Sequence, residues 1–160
     1  MLLTLDAADA DEICLVVNDA ATVYRGVIPA DRWKEPYMPL EEVLEEIEAG
    51  VVFWGDRRGG RLAGVMGLQN VKDVALIRHA YTRTAEQGAG VGSALLEHLR
   101  NQADRPLLVG TWKAATWAVK FYERRGFRLV SDEDKVRLLR RYWRVPERQI
   151  EESVVLKSVR

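Results

Sequence analysis

Gln87-Gly88-Ala89-Gly90-Val91-Gly92-Ser93 places glycine at alternate positions, and Val91, Leu95 and Leu99, with Ala94 and Leu96 beside them, then recur at helical spacing. Glycine costs stability inside a helix, so a run of it at a helix entrance needs a reason. Anion capture supplies one. Without side chains a ligand can reach the backbone, and successive N–H groups at a helix start point at it. The stretch predicts a phosphate-bearing ligand; the alternative is a tight strand–helix turn that binds nothing.

The loop is not a P-loop, because no Gly-Lys-Ser/Thr follows at the required spacing. The dinucleotide fingerprint fails as well. Counted from Gly88, its sixth position is Ser93; counted from Gly90, it is Leu95. An antiparallel meander beforehand is also the wrong context for a βαβ unit.

That meander reads as Val51–Trp54, Leu62–Leu68 and Val74–Thr82, with turns at Arg57–Gly60 and Asn70–Asp73. Upstream, Leu2–Leu5 reads as a strand. Asp9 with Glu12 resembles a capping box, and Ile13, Val16, Val17, Ala20, Ala21 and Tyr24 form a helical stripe ending near Gly26. Gly26–Pro39 is a long loop holding Trp33 and Tyr37. Pro39 opens a second helix, with Leu40, Val43, Leu44 and Ile47 on one face and Gly50 as its stop. Downstream of the glycine loop, a helix spans about Gly90–Asn101 and a strand Leu107–Trp112. A helix follows over about Ala115–Arg125, then a strand at Phe127–Val130. Lys135–Trp143 is a further helix and Ser153–Ser158 a final strand. This mixed order predicts an α/β (α+β) domain with helices on both faces of its sheet.

The chain has 160 residues, 48% apolar and 30% charged, with no formal net charge. That fits a single domain, residues 1–160, which buries roughly 68–70% of its unfolded surface. Zero net charge argues against broad nucleic-acid binding. No apolar run reaches the ~20 residues of a membrane helix. The start, Met1-Leu2-Leu3-Thr4-Leu5-Asp6, lacks the basic n-region of a signal peptide. Cys14 is the only cysteine, so a reducing, cytoplasmic setting is expected. His79 and His98 have no metal-ligand spacing with Cys14, and no metal is expected. Cys14 falls on the apolar face of the first helix and reads as a small buried hydrophobe, and His98 as a solvated helix position.

The glycine stretch resembles the acyl-CoA loop of the GNAT superfamily of N-acetyltransferases, whose pattern is Arg/Gln-x-x-Gly-x-Gly/Ala. Phe121-Tyr122-Glu123-Arg124-Arg125-Gly126-Phe127 is similar to the family's Tyr-Glu-Lys-x-Gly-Phe block, with Arg124 for the usual lysine. The order of elements agrees across nearly the whole chain. The resemblance implies a mostly antiparallel central sheet of about six to seven strands. It implies acetyl-CoA as cosubstrate, with the pyrophosphate on the backbone of Gly88, Ala89, Gly90, Val91, Gly92 and Ser93 beside Gln87. The pantetheine arm would lie in a split between the strand ending near Thr82 and the strand Leu107–Trp112.

The activity implied is acetyl transfer to a primary amine, of a small molecule or a protein, by direct attack in a ternary complex. The alternative is a noncatalytic acyl-CoA sensor. Tyr122 holds the family's general-acid position; a phenol near pKa 10 suits a departing thiolate of about 8.5. Its other reading is a core aromatic. A backbone N–H of Tyr81 or Thr82 would hold the thioester oxygen. No carboxylate lies between Val74 and Thr82, which leaves His79 as the candidate base. Strict alternation puts His79 opposite Thr82, and a bulge would change that. The other reading is a structural histidine, and Arg78 reads as a substrate or electrostatic contact. Many members carry asparagine where Ala115 stands; Thr116 offers a hydroxyl instead. Trp112 walls the acyl channel or simply fills the core.

Tyr24, Arg25, Trp33 and Tyr37 flank the first long loop, which in this superfamily shapes the acceptor pocket. They enclose the amine or pack on the core. Glu41, Glu42, Glu45, Glu46 and Glu48 steer a cationic amine or form a solvated face. Lys135, Arg137, Arg140, Arg141 and Arg144 meet an anion, a second copy in a homodimer, or solvent.

Overall fold

The computed structural model describes residues 1–159. Seven strands form one sheet: β1 (Leu2–Leu5), β2 (Val52–Arg58), β3 (Arg61–Val71), β4 (Val74–Thr82), β5 (Leu107–Trp112), β6 (Phe127–Leu129) and β7 (Ser153–Ser158). Their order is β1-β2-β3-β4-β5-β7-β6. Neighbours run antiparallel except β4 and β5, which are parallel. The helices are α1 (Ala10–Ala20), α2 (Leu40–Glu48), α3 (Val91–Gln102), α4 (Thr116–Glu123), α5 (Asp132–Tyr142) and α6 (Glu147–Glu151).

Alternation along each strand divides the core into two layers. Leu95, Leu96 and Leu99 of α3 cluster with Ala75, Ile77, Leu107 and Val109 on one face. On the other, Ile13, Val16 and Val17 of α1 pack on Phe53, Leu62 and Val65. All three α1 side chains are fully buried, each contributing about 1.5–3 kcal/mol. Leu76 and Leu108, between the first set, turn to α5 and meet Tyr142. Leu139 of α5 joins Ile150 and Val155.

Two features open the sheet. First, the β3–β4 register jumps between Val65–Tyr81 and Gly67–Arg78, so Met66 alone faces His79 and Ala80. His79 takes the left-handed conformation, φ 54. The extra residue bends β4. Second, β4 and β5 pair only from Ala75–Leu107 to Ile77–Val109. Beyond Ile77 the two strands part.

Some local expectations are corrected. The capping box is Asp6 with Asp9, on a 3-10 turn at Ala7–Asp9, rather than Asp9 with Glu12. Glu12 is spent elsewhere: it accepts from the Leu62 N–H at 2.8 Å and from Arg57 at 3.0 Å. The first helical stripe tightens to a 3-10 turn over Ala21–Tyr24. β2 runs on through Arg57 and Arg58, which shrinks the expected turn to Gly59-Gly60, both left-handed. His98 is not solvated but sits edge-on to Trp54, ring centroids 4.3 Å apart. Helix α6 was not anticipated; it is short and polar, and Pro146 introduces it.

The basic segment is largely neutralised: Arg137 pairs with Asp134, Arg140 with Glu147 and Arg141 with Asp73. Arg148 of α6 reaches Asp31 at 3.6 Å, so this segment touches the loop between α1 and α2. Among the described residues no helix is long and apolar enough to cross a membrane.

Candidate active site

The strand split and the glycine loop open into one cleft of about 820 Å³. Of the residues singled out in the sequence, Tyr24, Tyr81, Thr82, Gln87, Gly88, Gly90, Val91, Gly92, Ser93 and Tyr122 line it. Arg25 and Trp33 line a separate hollow of about 380 Å³ with Tyr37 and Glu35. There Arg25 pairs with Glu35 and lies 5.7 Å from the Trp33 ring centre. Ala89, Thr116, Trp112, Arg78 and His79 are not on the cleft wall.

The glycine-loop end of the cleft is built from backbone. Gly90 caps α3 with φ 81 and no side-chain cap. Gly88 has φ 80, and at both glycines an added Cβ would meet nothing within 4 Å. Ala94 is the first helix residue whose N–H finds a backbone acceptor, the Gly90 carbonyl. The N–H groups of Val91, Gly92 and Ser93 therefore remain open at the positive end of the helix dipole. Gly92 differs: its Cβ would lie 3.2 Å from the Phe121 ring, so it serves the approach of α3 to α4. An open nest of donors with empty space over it fits a diphosphate.

At the strand end, Arg83 donates its N–H across to Ala63 of β3. Antiparallel alternation then turns the Thr82 N–H the other way, into the split. The Thr82 carbonyl lies on that side too, where it accepts from Gln87 Nε2 at 3.2 Å. That amide ties the end of β4 to the glycine loop.

Tyr122 sits at the cleft floor, 5% exposed, its ring edge-on to Phe121 and Phe127. Helix α4 puts it there because Ala118, Phe121 and Tyr122 share the inward face. Burial pushes its phenol above the usual tyrosine range, and a charge on Tyr24 would push it further. It stays protonated at neutral pH. Tyr24 enters the same cleft from the end of α1, its ring 6.2 Å from Tyr81 and 6.1 Å from Trp117. Burial raises the Tyr24 phenol to about 12 and holds Tyr81 well above its ordinary value. Trp112 donates Nε1 to Tyr37 Oη at 3.1 Å, closing this aromatic wall.

His79 points at α2. Its Nε2 lies 2.8 Å from Glu46, its ring stacks on Phe53, and Arg78 meets the same carboxylate at 3.2 Å. The His79 hydrogen bond, with the Arg78 charge behind it, holds Glu46 below the usual carboxylate range against the opposing effect of burial. A base role for His79 would have to use Nδ1. Arg125 escaped the sequence reading although it lines the cleft. Its spacing of four from Phe121, just past the end of the helix beside the glycine loop, was the available signal.

The family model described as an acetyltransferase (GNAT) domain matches residues 16–140. The chain belongs to the GNAT acetyltransferase family. The GNAT fold spans it almost end to end: PaiA N-acetyltransferase from Thermoplasma acidophilum, in complex with coenzyme A, superposes with a TM-score of 0.72 at 16% identity, covering 99% of this chain and 98% of that one. A GNAT-family acetyltransferase from Staphylococcus aureus gives 0.70 at 14% identity, covering 99% and 98%. A ribosomal-protein-alanine N-acetyltransferase from Brucella melitensis gives 0.60 at 16%, covering 82% and 86%. No curated protein matches the sequence. As a GNAT protein the chain is an acyltransferase that draws on acyl-CoA.

Proposed function

We propose that this GNAT protein transfers an acetyl group from acetyl-CoA to a primary amine by direct attack within a ternary complex. One observation carries the reading: a single cleft joins the open helix-start N–H groups of Val91, Gly92 and Ser93 to a buried, protonated phenol at Tyr122. Acetyl-CoA supplies the acyl group as a thioester.

The residues divide the work. The loop N–H groups hold the diphosphate, and the unpaired edge of β4 beyond Ile77 accompanies the pantetheine arm as an added strand would. The Thr82 N–H, aimed into the split, donates to the carbonyl oxygen as negative charge develops there. Such a donor is worth about 3–4 kcal/mol of barrier. Tyr122 donates its proton to the departing sulfur. The burial that raises the phenol also raises the proton affinity of a thiolate beside it, so the transfer stays feasible.

Among the described residues neither histidine nor aspartate lines the cleft, and the carboxylate found there, Glu86, belongs to the turn before the glycine loop. The amine therefore enters unprotonated; its surplus proton leaves to water, and Tyr122 takes one back from water after its own has gone to the sulfur. Tyr24, Tyr81 and Trp117 form the wall it passes.

The test is thiol release from acetyl-CoA against grouped amines: polyamines, amino acids, peptides with free N-termini and lysine peptides. Turnover with one group, lost in Tyr122→Phe while CoA still binds, supports the enzyme. CoA binding without turnover on any group would instead support the noncatalytic sensor.

A further inference from the structure

The Arg125 guanidinium is fixed at four points. Its Nε and Nη2 donate to Ser93 Oγ at 2.9 and 2.6 Å, its Nη1 donates to the Phe121 carbonyl at 2.9 Å, and its Cζ lies 3.9 Å from the centre of the Phe121 ring. A serine hydroxyl has two lone pairs and one proton. Arg125 takes both lone pairs. The Ser93 proton is then left to point outward, and no acceptor for it is found among the described residues. Ser93 closes the first turn of α3, where the N–H groups of Val91 and Gly92 are also open. Arg125 itself makes no ion pair with a carboxylate among the described residues, so its charge stays uncancelled beside the cleft.

We propose that Arg125 is a positioning residue for the diphosphate: it locks Ser93 as a hydroxyl donor and sets a fixed positive charge behind it. This rests on the acyl-CoA reading of the cleft and adds a side-chain element to a loop otherwise made of backbone. A neutral hydroxyl backed by a bidentate cation is a stronger donor than one free to rotate. Arg125 acts through Ser93 and need not touch the ligand.

The structural alternative is that Arg125 merely ties α4 to α3. Calorimetric titration of wild type, Arg125→Gln, Ser93→Ala and the double variant, each with CoA and with pantetheine, separates the two. Pantetheine lacks the diphosphate. Arg125→Gln should weaken CoA on the order of tenfold, and Ser93→Ala several-fold. The double variant should bind no worse than Arg125→Gln, because both changes break one device. Pantetheine binding should stay at the wild-type value, and the salt dependence of CoA binding should flatten in Arg125→Gln.

Equal losses for CoA and pantetheine would overturn the proposal in favour of the structural tie, as would effects that simply add. Wild-type affinity in Arg125→Gln would also sink it. If Arg125→Gln folds poorly, Ser93→Ala carries the test alone, since alanine favours the helix. A wild-type protein that binds no CoA would overturn the acyl-CoA reading itself, and this inference with it.

Discussion

Arg58 donates Nη1 to the carbonyl oxygen of Ala89 at 2.8 Å. The β2–β3 hairpin thus braces the glycine loop. Asp56, almost fully buried, holds the same guanidinium at 2.9 Å. Arg58→Met should leave the fold intact while freeing the loop. A charge-assisted hydrogen bond at a partly exposed site is worth about 1 kcal/mol, so CoA affinity should fall roughly fivefold. Titration with CoA checks this, and an unchanged affinity would show that the loop holds its shape without the brace. Asp56→Ala should cost more, about 1–2 kcal/mol of stability, because it removes the buried acceptor of the Arg58 Nε–H and leaves a small void in its place.

Tyr122→Phe removes one oxygen and leaves the buried ring. Turnover should fall by about 10²–10⁴, the span of general acid catalysis, with CoA affinity unchanged. The raised phenol also fixes the alkaline behaviour. A group whose pKa lies above the tyrosine range remains an acid through pH 10, so the wild-type rate should show no alkaline decline below that point. A decline beginning near pH 9 would assign the acid to another group.

The sequence shows the sheet far better than the site. β4, β5 and β7 lie where their apolar runs and flanking breakers place them, because burial on both faces writes itself into consecutive residues. The split between β4 and β5 leaves no such mark in either strand and was expected only from the family resemblance. It depends on a bulge in which one residue, Met66, faces two, and pairing register is a property of two strands together. Glu12 shows the same limit: its helix position suggested a local cap, yet its partners are Arg57 and Leu62 on β2 and β3. Gly88 and Gly90 were legible as open backbone, whereas Gly92 required knowing that Phe121 crosses nearby. Arg125 was hidden for a like reason, since its target belongs to another helix.

Glu46 offers a pH test. Its carboxyl is depressed by the His79 hydrogen bond and the Arg78 charge. A depressed carboxyl contributes stability above its unfolded value of about 4.3, and that contribution is lost as pH falls through the folded value. Wild type should therefore exceed Glu46→Gln in denaturant stability at pH 7, and the gap should close in acid below about pH 4. A gap that persists there would mean that packing, not charge, holds this contact.

His79 can be separated from catalysis on the same strand. Its left-handed backbone suits asparagine, so His79→Asn preserves the bulge at small cost. With Nε2 engaged by Glu46 and the ring off the cleft wall, the variant should keep the shape of the wild-type kcat/KM profile against pH. An inflection of that profile that disappears in His79→Asn would make His79 the base acting through Nδ1.

The glycines of the loop should fail in different ways. At Gly90 a Cβ meets no neighbour, so Gly90→Val is penalised by its left-handed φ, about 1–2 kcal/mol, and by filling the space over the nest. Thermal stabilisation by CoA should vanish in a protein that still folds. At Gly92 the backbone is not left-handed, and Gly92→Ala instead presses on Phe121 at 3.2 Å while removing glycine's entropic cost in a helix. Its unliganded melting temperature should shift only slightly, with CoA stabilisation largely retained. Reversed behaviour, with CoA response lost at Gly92 and kept at Gly90, would move the diphosphate away from the first turn of α3.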